Sequence, residues 1–227
     1  CAVAQGWAEA VAAEGEAWSG AVVTTRCDQL RRAAEALRER TRVPLFVMNV
    51  PATRGTPAAE RLYAAELERL DAFLGQLTRR PSARPRADEP SAASEPAAQG
   101  WRVGLFGCCV TDADRAVLGL LAVAGLCVVL DATERLPVAR PTIGQRPNAA
   151  LFEWLVQRGR EARLDGWVLL RQPWCDLIRA EEPRLKSATQ LPWLVLETGE
   201  RPALAALRTR AEAFAELLAQ SGRRRHD

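Results

Sequence analysis

The 227-residue sequence predicts an α/β fold of two parallel-sheet lobes, Rossmann- or flavodoxin-like, joined by a Pro-rich linker. Three observations lead there. Short β-branched apolar runs alternate with helix-length segments, a pattern that implies parallel strands covered by helices. Arg79–Gly100 interrupts the alternation with Pro81, Pro85, Pro90 and Pro96 among Ser, Ala and charged residues, as a linker does. The composition, 48% apolar and 26% charged, supplies enough apolar surface to offset the entropy of ordering the chain.

Taken in order, Ala2–Glu14 is Ala-rich and carries Trp7 and Val11 four residues apart, on one face of a helix. Ala21–Thr25 is a β-branched run and reads as a buried strand. Asp28 then stands as a candidate N-cap for a helix over Gln29–Arg40. Val43–Val50 is the next strand, and Asn49-Val50-Pro51 closes it, because Pro disfavours helix before itself. Pro57 suits the first turn of a long helix whose apolar stripe is Tyr63, Leu67, Leu70, Leu74 and Leu77.

The second lobe repeats the alternation more clearly. Strands are expected at Arg102–Phe106, Leu126–Leu130, Gly166–Leu170 and Pro192–Leu196. Helices are expected at Asp112–Ala124, Asn148–Ala162, about Leu177–Lys186, and Ala203–Gln220. In the last, Leu204, Leu207, Phe214, Leu217 and Leu218 are placed on one face. The expected organisation is therefore a first lobe over 1–78, shortened at its start, a linker over 79–100, a second lobe over 101–222 and a tail over 223–227.

Charge excludes some functions. With 31 basic and 28 acidic residues, the net charge of +3 is too balanced for a nucleic-acid binder. The longest apolar run, Ala116–Leu130, falls short of the roughly 20 residues that a membrane span needs. The sole histidine, His226, sits in the terminal Arg223-Arg224-Arg225-His226-Asp227, which disfavours a histidine-dependent hydrolase. The Gly104…Gly107 pattern at the expected Arg102–Phe106 strand lacks the third glycine of a dinucleotide fingerprint.

The six cysteines are Cys1, Cys27, Cys108, Cys109, Cys127 and Cys175. They form no C-x-x-C pair, and their density does not suit a secreted disulfide scaffold, so a reducing cytoplasm is expected. Cys27, Cys108 and Cys109 sit just after expected strands, and Cys175 follows one through Arg171-Gln172-Pro173-Trp174. In parallel sheets that carboxyl edge is where ligands bind. Cys127 falls inside a strand and reads as core. For Cys1 as the first residue, three readings stand: a fragment or mis-started frame, a lipidated lipoprotein cysteine, or the loss of a short leader.

The first lobe reads Thr25-Arg26-Cys27-Asp28, then Leu45–Val50 with Pro51, then Tyr63–Leu70. The second has Arg102–Gly107, Trp174-Cys175-Asp176, Leu194–Thr198 and Leu207–Phe214. In this order the segments resemble the D-component family of 2-hydroxyacyl-CoA dehydratases, which includes benzoyl-CoA reductase subunits. The resemblance implies a 4Fe-4S cluster held by Cys1, Cys27 and Cys175, with one iron left open. It implies an acyl-CoA substrate, a homologous partner subunit and a separate ATP-dependent activator protein. The implied reaction is dehydration or reduction of the CoA thioester through a ketyl radical after one-electron activation. Thiolates are soft ligands that suit such clusters. The chain departs from the family pattern at Leu130–Arg135, which lacks a usual cysteine, and at Glu197-Thr198-Gly199, which lacks an acidic residue after the threonine. These departures lead to the expectation of either a fragment or a reduced paralogue.

Other residues carry two readings each. Asp28 and Asp176 cap helices or act in chemistry, and a helix start also favours anionic thiolates. Cys108-Cys109 serve a loop or bind a further cluster. Trp174 belongs to a core or interface, or shields a cluster from water. Arg140, Arg146 and Arg171 lie in loops, either solvated or meeting CoA phosphates. Two rival functions stand beside the dehydratase reading: a non-catalytic cluster-binding or electron-transfer module, and a cluster-free α/β scaffold.

Overall fold

The computed structural model describes residues 1–53, 55–78, 100–107, 112–133, 143, 148–199 and 203–223. Contacts divide the chain into two compact units, Cys1–Arg86 with Gly144–Asn148, and Ala87–Ile143 with Ala149–Asp227. Both are mixed α/β with parallel strands, as the alternation predicts. The expected linker lies outside the described residues except for Gly100. Cys108, Cys109, Arg140, Arg146 and the His226 tail lie outside them as well.

In the first unit, helix α1 (Ala2–Ala13) and a 3₁₀ turn (Gly15–Ala17) lead into strand β1 (Ala21–Thr24). Helix α2 (Asp28–Leu37), strand β2 (Leu45–Met48) and helix α3 (Pro57–Thr78) follow. The strands pair in parallel, Ala21 opposite Leu45 through Thr24 opposite Met48. Strand β2 starts later than expected because Pro44 has no N–H for a ladder, though its carbonyl accepts from Ala21 N–H at 2.9 Å, and it ends earlier because the Asn49 and Val50 amides bond side chains, Glu66 at 2.9 Å and Thr25 at 3.1 Å. Val11, Ala21, Leu37 and Val43 form a small core. Phe46 stacks on Phe73 of α3 at 5.3 Å between centroids.

The second unit contains β3 (Trp101–Gly107), α4 (Asp112–Val123), β4 (Leu126–Thr133), α5 (Ala149–Glu161), β5 (Gly166–Arg171), α6 (Asp176–Thr189), β6 (Trp193–Glu197) and α7 (Leu204–Arg223). Its four strands are parallel in the order β4-β3-β5-β6. That is the flavodoxin-like order, and its direction reverses between β3 and β5. Both faces are buried. Val103, Leu105, Val168 and Leu170 pack under α4 and α7, while Phe106, Trp167 and Leu169 pack under α5 and α6. This two-sided burial is why β5 reads as an unbroken apolar run rather than an alternating one. Gly104 is a packing glycine: a Cβ there would lie 2.5 Å from the Trp167 ring. Without it the indole could not lie against β3.

The expected apolar face of the last helix needs correction. Leu207, Ala211, Phe214 and Leu218 are buried, whereas Leu204 and Leu217 are 42% and 45% exposed. A 4-3-4 spacing through Ala211 follows the 3.6-residue period, and the two exposed leucines fall off that stripe. Among the described residues, no helix is long and apolar enough to cross a membrane.

Candidate functional site

Each family-implied cysteine starts a helix. Cys1 is the N-cap of α1, Cys27 of α2 and Cys175 of α6. In each case the cysteine carbonyl accepts the first helical hydrogen bond, from Gln5 N–H at 3.1 Å, Arg31 N–H at 3.0 Å and Arg179 N–H at 3.0 Å. None of the three side chains bonds the amides of its own helix. All three residues are half-buried and outside any disulfide. A helix start presents unbonded N–H groups and partial positive charge, which favour an anionic group placed beside it.

The expected caps Asp28 and Asp176 are therefore corrected by one residue. Both are the first residue inside their helices. The helices begin earlier because the preceding cysteine takes the non-helical backbone and makes the capping carbonyl bond. Asp28 instead points along α2 and receives Arg31 at 2.6 Å and Arg32 at 3.0 Å. Arg31, and after it Arg32, hold the Asp28 carboxyl below its ordinary value, and Asp28 raises that of Arg31 in return.

The corner that carries Cys27 lies at the carboxyl ends of β1 and β2. Thr25 Oγ1 donates to Asn49 Oδ1 and accepts from Val50 N–H, each at 3.1 Å. From α3, Glu66 accepts from Asn49 N–H at 2.9 Å and pairs with Arg69. Glu66 is only 9% exposed, so a carboxylate is spent on fixing the turn after β2. Sequence reasoning missed this role. The available signal was an acidic residue set among the apolar stripe positions Tyr63, Leu67 and Leu70.

The corner that carries Cys175 lies at the carboxyl ends of β5 and β6. Gln172 Nε2 donates to Thr198 Oγ1 at 3.2 Å, with both residues buried. Cys175 N–H bonds back to the Gln172 carbonyl at 3.2 Å, closing a turn with Pro173 second and Trp174 third. Trp174 has φ of +64°, which together with Pro173 is the type II pattern, where glycine is usual. It is also 71% exposed, so it is not a core residue. Arg171 corrects another expectation. It ends β5 rather than lying in a loop, and Glu182 at 2.6 Å and Glu197 at 2.9 Å neutralise it. Such a guanidinium is already committed and does not offer itself to a CoA phosphate.

Cys127 lies in β4, where the strand reading put it, and is half-buried. The donor set chemically suits an iron–sulfur cluster: soft thiols, each at the positive end of a helix. Among the described residues, however, no group of three or more His, Cys, Asp or Glu side chains is gathered to hold a metal ion.

No curated protein matches the chain. The family model described as 2-hydroxyglutaryl-CoA dehydratase, D-component, matches residues 1–89. That stretch holds Cys1, the Cys27-Asp28 corner and Asn49-Val50-Pro51, and through it the resemblance to the 2-hydroxyacyl-CoA dehydratase D-component family is borne out.

Proposed function

We propose that this chain is a 2-hydroxyacyl-CoA dehydratase-like subunit carrying a 4Fe-4S cluster on Cys1, Cys27 and Cys175. It acts on an acyl-CoA thioester together with a homologous partner subunit and an ATP-dependent activator protein. The observation that carries this reading is the shared seat of the three cysteines. Each occupies a helix N-cap without a side-chain cap hydrogen bond, and two of these caps lie in the family-matched stretch. When bound, such a cluster supplies one-electron transfer and, at an iron without a cysteine, Lewis acidity. The chain's own part is positional. Thr25 with Asn49, and Gln172 with Thr198, fix the strand ends from which the Cys27 and Cys175 turns depart. The first-turn amides of each helix favour negative charge beside them.

Anaerobic reconstitution with iron and sulfide tests the proposal. About four irons per chain are expected, with loss of the cluster in both Cys27→Ser and Cys175→Ser. Full cluster retention in both variants overturns the ligand assignment. The rival reading is a cluster-free α/β scaffold whose cysteines merely pack. Failure to bind iron stoichiometrically would leave that reading alone. If iron binds, turnover of a 2-hydroxyacyl-CoA with the activator separates the enzyme from a non-catalytic cluster-binding paralogue.

A further inference from the structure

The second unit's sheet has two edges, and they are built differently. On the β4 side the pairing with β3 slips between Val103 and Gly104, a bulge, and Asp131 stands exposed in the strand. Bulges and charges are the usual guards against strand addition. Strand β6 has no bulge. It pairs with β5 in unbroken register, Trp193 opposite Trp167 through Glu197 opposite Arg171. It contains no proline or lysine, and Arg171 already bonds its one charge, Glu197. Its phase against β5 is fixed at both ends. Trp167 N–H donates to the Pro192 carbonyl and Thr198 N–H to the Arg171 carbonyl, each at 2.9 Å. Residues alternate along a parallel ladder, so Trp193, Val195 and Glu197 turn their N–H and C=O groups outward. Among the described residues, no strand pairs with that side.

The open side is a slot rather than a flat rim. A pocket of about 290 Å³ runs beside Trp193 and Val195, walled by Glu182 and Lys186 of α6 and by Arg210 of α7. Its charges do not cancel. Glu182 bonds both Arg171 at 2.6 Å and Lys186 at 2.7 Å, and Glu197 bonds Arg171. Arg210 has no ion-pair partner among the described residues, so three cations face two carboxylates. The two faces of the slot also differ. Trp193 and Val195 are half-buried apolar side chains on the α6 side of the sheet, whereas Arg210 belongs to α7 on the other side. Together these features describe the strand that would fit: extended backbone, apolar residues toward Trp193 and Val195, acidic residues toward Arg210. A second copy of the chain does not answer that description. Two-fold pairing of β6 with itself would set two positively charged slots together.

We propose that the β6 edge docks an acidic, extended segment of a partner protein. The segment adds as a fifth strand, bonds the outward amides and carbonyls of Trp193, Val195 and Glu197, and sets a carboxylate on Arg210. Among the described residues no cysteine lines the slot, and the proposal stands whether or not the chain carries a cluster.

The probe is the pentapeptide acetyl-Val-Glu-Val-Glu-Val-amide, with the peptide carrying Lys in place of both Glu as its control, each titrated into the full ¹⁵N-labelled chain. Saturable shifts of the Trp193, Val195 and Glu197 backbone amides are expected with a dissociation constant of about 1 mM, ordinary for so short a strand. At about ten times that concentration the acidic peptide should slow hydrogen exchange at these three amides about tenfold. The Leu194 and Leu196 amides, which already face β5, should change little. Arg210→Glu should weaken the acidic peptide about tenfold and admit the lysine peptide. Arg210 is exposed, so this substitution leaves the core untouched and its result is readable. Absence of saturable shifts at the three amides, or equal binding of the two peptides, overturns the proposal. So does an acidic-peptide affinity that Arg210→Glu leaves unchanged. Protection of the same amides by concentration-dependent self-association, without peptide, would give the slot to a second copy and overturn it as well.

Discussion

At the carboxyl end of β1, Cys27 starts α2 behind a solvent-facing hydrogen bond between Thr25 and Asn49. At the carboxyl end of β5, Cys175 starts α6 behind a buried bond between Gln172 and Thr198. Both corners use one polar side chain from each of two adjacent parallel strands to tie the ends together, and both place a cysteine at the following N-cap. They differ in their surroundings. The first rests on two strands and a small core, and water can replace its cross-link. The second rests on four strands packed on both faces, and its cross-link has no such substitute. The same local device is thus cheap to break in one place and expensive in the other.

The largest expected effect is at Arg171, which exists only in the second corner. Arg171→Leu leaves Glu182, whose side chain is 17% exposed, with Lys186 as its remaining partner, and removes a partner from the more solvated Glu197. A loss of about 3 kcal/mol in urea unfolding is expected, the lower end for breaking a buried pair. A loss under about 1 kcal/mol would place this network among ordinary surface pairs. Next comes the cross-link itself. Thr198→Val removes the buried Gln172–Thr198 hydrogen bond and should cost about 2 kcal/mol. Thr25→Val, its counterpart at the exposed corner, should cost about 0.5–1 kcal/mol. Equal losses in the two variants would erase the distinction between the corners.

The turns differ in strain as well. Trp174 holds a left-handed backbone in front of Cys175, while no residue of the Cys27 turn has positive φ. Trp174→Gly should leave stability unchanged or raise it by about 0.5 kcal/mol, relief of strain less the entropy glycine adds to the unfolded chain. A clear destabilisation would mean that the exposed indole packs usefully despite its surface position. The smallest effect belongs to Asp28 in the first corner. Its carboxyl titrates below the ordinary value of 3.8, because Arg31 and then Arg32 bond the charged form. Its contribution is therefore whole above that value and fades as pH falls through the depressed one. An acid titration followed at the Asp28 carboxyl carbon should show the lowered midpoint. Screening by high salt should bring it back toward the ordinary value.

The strands and helices were largely legible because burial on both faces leaves long apolar runs, as in Trp167–Leu170, and because Pro and Gly punctuate their ends. The helix starts were misread by one residue. Asp is a common N-cap, and nothing in Cys27-Asp28 or Cys175-Asp176 announces that the cysteine takes the capping geometry. The last helix was misread because Ala211 contributes little hydrophobicity to a sequence count yet occupies the centre of the buried stripe. The cross-links Thr25–Asn49 and Gln172–Thr198 join residues that only strand pairing makes neighbours, so no local pattern reveals them. The commitment of Arg171 was hidden for the same reason: Glu182 lies on the next helix and Glu197 on the next strand.

Cysteine is an indifferent N-cap, whereas serine is among the best, because its hydroxyl accepts a bond from the second or third amide of the helix. The cysteine-to-serine exchange at position 27 or 175 therefore gives α2 or α6 a stronger start than the native residue does. Compared in the iron-free state, such variants should melt no lower than the parent protein, and metal depletion in them would report on sulfur alone rather than on a damaged scaffold.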